Sequence, residues 1–554
     1  MLLESIGLTL LIALALRLAL GRTRVWIVAL ALGVGLAFAF VAPSRAPPPT
    51  PRGQPREHDA SLYVTSKACL GCHPAEHASF SRTFHRSMTQ LASDATVLAP
   101  LERREGEIRA EGRKVVLTTG SHREQAYWLE GDQPGELVLM SSVWMIRERA
   151  LIPREAAFIT PPDQPLEPAH WRSNCIACHS VAGEPRRDHD NRFDPKVAEL
   201  GVACEACHGP GAAHVARHQS PLARWTQSRS AEPDPSIVQP ARLSAERSLA
   251  VCGQCHAYSF PRDEDEFWRH GYARAFRAGD TLEASRHLLS LGALGDAPTI
   301  DAPTIEAEAS SIFWSDGAVR IGGRELHGVL ASSCYRRGEA KLTCLSCHAM
   351  HAGDPRGQIA PDKRGDAACV SCHAHTPEHS HHAEGSPGHA CVSCHMPKTS
   401  FALLQGVRSH VIDSPNAAVT LDTGRPNACN LCHVDRSLGW TMNTLTQWFE
   451  QQPIELPPQR QTIAEGIVGA LTADAGVRAL YADALGSDDA KRASDHDLLA
   501  SVLVAMRDDP YAAVRFIAAR SLRNVKESEI VPLPATLLQT LRAQRDDRPI
   551  TLAE

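Results

Sequence analysis

The chain has 554 residues, room for roughly two to four domains, and its formal charge of −6 is spread without a basic stripe. That balance excludes a nucleic-acid surface. Aromatic residues make up only 5%, a thin supply for packing a core of this length, while the chain holds 17 cysteines and 27 histidines.

In chain order, residues 7–20 are apolar except for Arg17, a basic GRTR turn follows at 21–24, and residues 25–42 form a second apolar run. About 18 residues is the minimum for a spanning helix. The basic turn is expected to stay on the cytoplasmic side. Residues 1–42 therefore read as an N-terminal membrane anchor of one or two transmembrane helices, with a cleaved signal peptide as the alternative. Residues 43–60 are a Pro-rich linker that stands off as a stiff spacer.

From residue 61 a pentapeptide recurs. Cys-x-x-Cys-His begins at Cys69, Cys175, Cys204, Cys252, Cys344, Cys369, Cys391 and Cys429, eight copies that use sixteen of the seventeen cysteines. Chance would supply roughly 0.03 copies. Zinc ribbons use two cysteine pairs per metal and make loose demands on the next residue. Disulfide scaffolds do not fix the spacing at two. Covalent haem attachment does require the trailing histidine, because two thiols bind the macrocycle edge and the adjacent imidazole binds its iron. The pattern thus predicts eight haem c groups. They attach through Cys69 and Cys72, Cys175 and Cys178, Cys204 and Cys207, Cys252 and Cys255, Cys344 and Cys347, Cys369 and Cys372, Cys391 and Cys394, and Cys429 and Cys432. His73, His179, His208, His256, His348, His373, His395 and His433 are the proximal iron ligands.

Between the first two motifs a haem-free insert, about 101–150, alternates apolar and polar residues around glycine turns and predicts antiparallel strands. Residues 318–326 (AVRIGGREL) suggest another hairpin. The later motifs are too closely spaced for independent cores, so neighbouring macrocycles must pack on one another. Region 61–445 is read as the octahaem domain. Region 446–554 is helical: VRALYADAL at 477 and VRFIAARSL at 514 repeat at a spacing similar to HEAT-type helix pairs, with two ordinary amphipathic helices as the alternative. The fold class expected is mainly α and loop-rich, organised around stacked haems, with a small β insert and a C-terminal helical repeat-like segment.

Nineteen histidines lie outside the motifs. A second imidazole on each iron gives a six-coordinate, low-spin centre suited to electron transfer. By context the distal candidates are His85, His122, His214, His351, His410 and one of the HSHH group, with His382 chosen. Cys334, the odd cysteine, with Tyr335 and Arg336 beside it, supplies the suspects for a catalytic site.

CLGCHPAEH, CIACHSVAG, ACEACHGPGAAH, CLSCHAMHAGDP, CVSCHMPKTSF and GRPNACNLCHVD resemble the bacterial multihaem cytochromes c of the doubled-CxxCH type. The resemblance implies a mostly helical fold around stacked haems. It names no donor or acceptor. The function expected is electron transfer on the periplasmic side of the bacterial cytoplasmic membrane, more a carrier than an enzyme. Its partners would be redox proteins or quinol-linked complexes, and the oligomeric state stays open. The alternative is a reductase of a nitrogen or sulfur oxyanion (nitrite, hydroxylamine or tetrathionate type) at one open haem.

Overall fold

The computed structural model describes residues 62–552 apart from 174, 290–308, 339–340, 353–354, 375 and 526–529, together with a short strand at Arg56–Glu57. The expected anchor at 1–42 and most of the linker lie outside the described residues. The expectation of a cytoplasmic-membrane location with a periplasm-facing domain is not upheld. Among the described residues no helix is long and apolar enough to cross a membrane.

The insert folds as an antiparallel sheet larger than 101–150. Its strands are β1 Thr89–Leu91, β2 Glu102–Arg104, β3 Glu107–Ala110, β4 Arg113–Thr119, β5 Glu124–Glu130, β6 Leu137–Leu139, β7 Ser142–Met145 and β8 Ala150–Pro153. The main path runs β2-β3-β4-β5-β7-β8, with β1 on β4 and β6 on β5. Alternation along β4 and β5 sends Val115, Tyr127 and Leu129 to one face and Val116 and Trp128 to the other. A register shift between Val115 and Leu117 breaks the alternation, so Val116 and Leu117 both join the second face. That face also buries Trp171 and Ile176, the latter inside the second motif. The sheet thus seats a motif as well as forming its own core.

The hairpin expected at 318–326 does not form. Val319 bridges Phe313, Ile321 bridges Phe401 in parallel, and a helix starts at Glu325. The Glu325 carboxylate accepts from the Gly323 amide at 2.8 Å. A hairpin would spend that amide on a ladder; here an acidic side chain in the first helical turn takes it.

The C-terminal region is helical, including Glu465–Thr472, Ala475–Leu485, His496–Ala505 and Ala512–Val525. The two VR segments lie in the second and fourth of these. One apolar core runs through these helices, the sheet residues Val143, Met145 and Ile152, and Phe401 and Leu404. Inside it, Arg478 is fully buried and grips Asp509 with two bonds, Nε to Oδ2 at 2.6 Å and Nη2 to Oδ1 at 3.1 Å. Asp509 also accepts from the Tyr511 amide at 2.9 Å.

Asp509→Ala leaves a buried guanidinium without its counter-charge. We expect urea unfolding followed by far-UV circular dichroism to show a loss of about 3–5 kcal/mol. A loss under about 1 kcal/mol would show that water reaches Arg478.

Candidate functional site

Each motif occupies one tight helical turn. The histidine amide donates to the carbonyl of the first cysteine: His73 to Cys69 at 2.9 Å, His179 to Cys175 at 2.8 Å, His348 to Cys344 at 2.9 Å, His373 to Cys369 at 3.0 Å and His433 to Cys429 at 2.8 Å. Positions i, i+3 and i+4 share a helix face, so two sulfurs and one imidazole point the same way. Backbone signals hold the turns in place. Thr343 and Ser346 make a reciprocal cap on the Cys344 turn, and Asn427 caps the Cys429 amide at 3.1 Å.

None of the seventeen cysteines forms a disulfide. The turns line one continuous cavity of about 4220 Å³, to which seven motifs contribute both cysteines and the histidine and the eighth contributes Cys429. A single-ligand pocket holds roughly 300–1,000 Å³. The space is therefore that of several large cofactors in a row, walled by the groups that would bind them.

The histidines supply a sharper test of fit. A metal–imidazole bond is about 2.0–2.1 Å, and the ring centre lies about 1.1 Å beyond the nitrogen, so two imidazoles on one iron have centres about 6.2–6.4 Å apart. Six motif histidines face another histidine at close to that separation. His73 faces His214 at 6.3 Å, His208 faces His351 at 5.8 Å, and His348 faces His410 at 6.5 Å. His395 faces His379 at 6.2 Å, His433 faces His382 at 6.2 Å, and His256 faces His85 at 6.1 Å. The first four pairs are stacked, with interplanar angles between 8° and 27°; His85 stands edge-on to His256 at 74°. Gaps of this width between near-parallel rings suit an intervening metal and macrocycle plane.

Second partners orient these rings. Nδ1 of His208 meets the Val238 carbonyl at 2.7 Å, His348 meets Gly357 at 2.9 Å, and His395 meets Asp413 at 2.9 Å. Two pairs use a carboxylate instead. His256 Nδ1 meets Glu325 Oε2 at 2.7 Å, and His214 Nδ1 meets Asp234 Oδ2 at 3.2 Å, where His218 also binds. Burial lowers the pKa of His85, His208, His214 and His410, which keeps these imidazoles neutral and able to donate to a metal. His256 is the exception: burial lowers it, but the Glu325 carboxylate outweighs that and raises it overall.

Of the distal candidates, the structure places His85, His214, His351, His382 and His410 opposite motif histidines. His122 packs on Phe84 at 4.1 Å instead. In the HSHH group two rings face motif histidines, and His379 is the one the sequence reading did not choose. The third, His381, stacks on Trp448 at 4.4 Å. Gly388 makes room for His382: a Cβ there would sit 2.3 Å from its ring. Gly328 does the same for the His410 backbone, which a Cβ would meet at 2.9 Å. Cys334 lines the cavity; burial raises the Cys347 and Cys369 thiols, and Cys334 adds a smaller push to each. Tyr335 and Arg336 do not line it.

Two family models match parts of the chain: "Doubled CXXCH motif" over residues 337–378 and "Cytochrome c554 and c-prime" over residues 159–209. Each span contains two of the motifs. Both spans are thus similar to multihaem c-type cytochromes. No curated protein matches the chain. Among solved structures, the chain is similar to the outer cell wall cytochrome OcwA, at 17% identity and a TM-score of 0.49, over 84% of this chain and 100% of that one. It is also similar to an undecahaem cytochrome from the S-layer of Carboxydothermus ferrireducens, at 15% identity and a TM-score of 0.39, over 90% and 72%.

Two substitutions read this geometry. His379→Ala should turn one low-spin ferric signal of the cytochrome high-spin in electron paramagnetic resonance (EPR), whereas His122→Ala should leave the spectrum unchanged. A carboxylate on an axial imidazole makes it a stronger donor and favours ferric iron. Glu325→Gln should therefore raise the midpoint potential of one haem in a spectropotentiometric titration, with the others little moved.

Proposed function

We propose that this cytochrome carries electrons through eight covalently bound haems, and that the six imidazole pairs are the axial ligands of six of them. The observation that carries the reading is the set of ring separations, 5.8–6.5 Å. A bis-imidazole iron changes its geometry little on reduction, so it passes an electron without rearranging the protein.

Contacts between motif sulfurs support a route. Cys69 pairs with Cys204, Cys207 neighbours Cys255, Cys252 pairs with Cys344, Cys347 neighbours Cys369, Cys369 pairs with Cys391, and Cys394 neighbours Cys429. The Cys255 sulfur also lies 3.7 Å from the Cys178 carbonyl. Motifs one, three, four, five, six, seven and eight then form a line, with motif two joined at motif four. Electrons would enter or leave by a redox partner protein at either end. In the arrangement proposed, region 61–445 holds the haems and region 446–554 braces it. An oxidoreductase role is the second reading, favoured by one observation: His179, in the second motif, has no imidazole facing it among the described residues.

Mass spectrometry of the purified chain should show eight added haem masses, and a pyridine haemochrome assay should return eight haems per polypeptide. A colourless, zinc-loaded chain would refute the proposal.

A further inference from the structure

The helix Pro221–Ser228 presents two different stripes. Arg224, Gln227 and Ser228, at i, i+3 and i+4, line the cavity that also takes in His73 and His214. Leu222, Trp225 and Arg229, at i, i+3 and i+7, share another stripe. Leu222 is 68% exposed and Trp225 is 55% exposed, and no other tryptophan among the described residues is exposed. The Arg229 guanidinium lies 4.5 Å over the Trp225 ring. Single exposed apolar side chains are ordinary. A leucine and a tryptophan one turn apart, rimmed by arginine, have instead the composition of an interface centre.

This helix is fixed beside the first motif. Ser220 Oγ accepts from the Ala223 amide at 3.4 Å, and Pro221 opens the first turn. Arg224 Nη1 donates to the carbonyls of His218 at 2.5 Å and Gln219 at 3.3 Å, at the end of the helix Ala212–His218. That preceding helix carries His214, which faces His73 at 6.3 Å. In the route proposed above, the first motif is one end of the line. The charge around the face is also distinct. Residues 217–242 hold Arg217, Arg224, Arg229 and Arg242, all exposed, against Glu232 and Asp234. Asp234 is buried and bonded to His214 and His218. Arg242 folds back onto the segment, with Nη1 donating to the Ala231 carbonyl at 3.3 Å. The face is thus positive on a chain whose net charge is −6.

We propose that Leu222 and Trp225, with their arginine rim, form the docking face for an acidic redox protein that exchanges electrons with the haem of the first motif. The inference rests on the electron-carrier reading given above; it adds which end of the line meets a partner and what charge that partner bears. The chain as a whole repels an anionic protein while this face attracts it, so such a partner is steered to one place. A basic protein meets like charge here. Trp225 supplies a flat anchor at the centre of the contact. The transfer moves one electron from the partner's reduced centre to ferric haem, or from ferrous haem to the oxidised partner, and no bond is made or broken.

The experiment uses the full holoprotein, with haem content measured first; absence of haem defeats the proposed function itself. Reduced plant-type iron–sulfur ferredoxin, an acidic redox protein, is the probe, and haem reduction is followed by stopped flow. Photoreduced lumiflavin, a small uncharged reductant, needs no docking and reports on the haems alone. Raising the ionic strength from about 0.01 M to about 0.5 M should slow the ferredoxin reaction by at least tenfold. Arg229→Glu should lower the low-salt rate roughly tenfold and flatten its salt dependence. Trp225→Ala should raise the ferredoxin concentration that gives half the maximal rate roughly tenfold. With a full haem complement, ferredoxin rates that ignore salt and both substitutions refute only this inference. Equal losses with ferredoxin and lumiflavin would show that the two side chains support the haem and not a partner, and would overturn it as well. So would Trp225-dependent attachment to phosphatidylserine vesicles, or a dimer that Trp225→Ala splits, with ferredoxin kinetics unmoved: the face would then meet lipid or a second copy.

Discussion

Everything in this chain depends on a separation: two imidazoles about one metal-and-macrocycle thickness apart, repeated six times. Apolar side chains attract at about 4 Å, so rings held at about 6 Å by the surrounding backbone are not packed on each other. Hydrogen bonds to carbonyls or carboxylates orient His208, His214, His256, His348, His382, His395 and His410. The low aromatic content fits this. Flat apolar surface comes from the cofactor, and the polypeptide provides the posts between which it stands.

The posts seldom come from the motif they serve. His85 follows the first motif and faces the fourth. His214 follows the third and faces the first. His351 follows the fifth and faces the third. Each such crossing ties distant segments together, as a disulfide would in a small secreted domain. Among the described residues small apolar clusters pack beside the motifs, and the largest apolar core lies at the C-terminal helices and the sheet edge. The described structure thus combines a conventional apolar block with a lattice of cross-links.

The eight motifs were legible in the sequence because one helical turn is a local object: spacing alone puts sulfur, sulfur and imidazole on one face. His85, His214, His351 and His410 could be picked from context, near glycines or shortly after a motif. His122 could not be rejected, because the β4–β5 hairpin turns it onto Phe84, and that turn is a tertiary result. The HSHH group was ambiguous for a related reason. His381 adopts a left-handed backbone conformation, φ 52°, after the turn Pro377–Ser380, and this splits the flanking histidines between two different partners. The strand pattern announced the sheet, though not the short strands that extend it. The segment at 318–326 carried a hairpin pattern that the Glu325 helix start overrode.

The sulfur contacts give the fourth motif three neighbours where every other has one or two. In a simple line, a fault at one carrier stops the current. In the proposed route a three-way node would make the second motif a siding, supplied from either end of the main track.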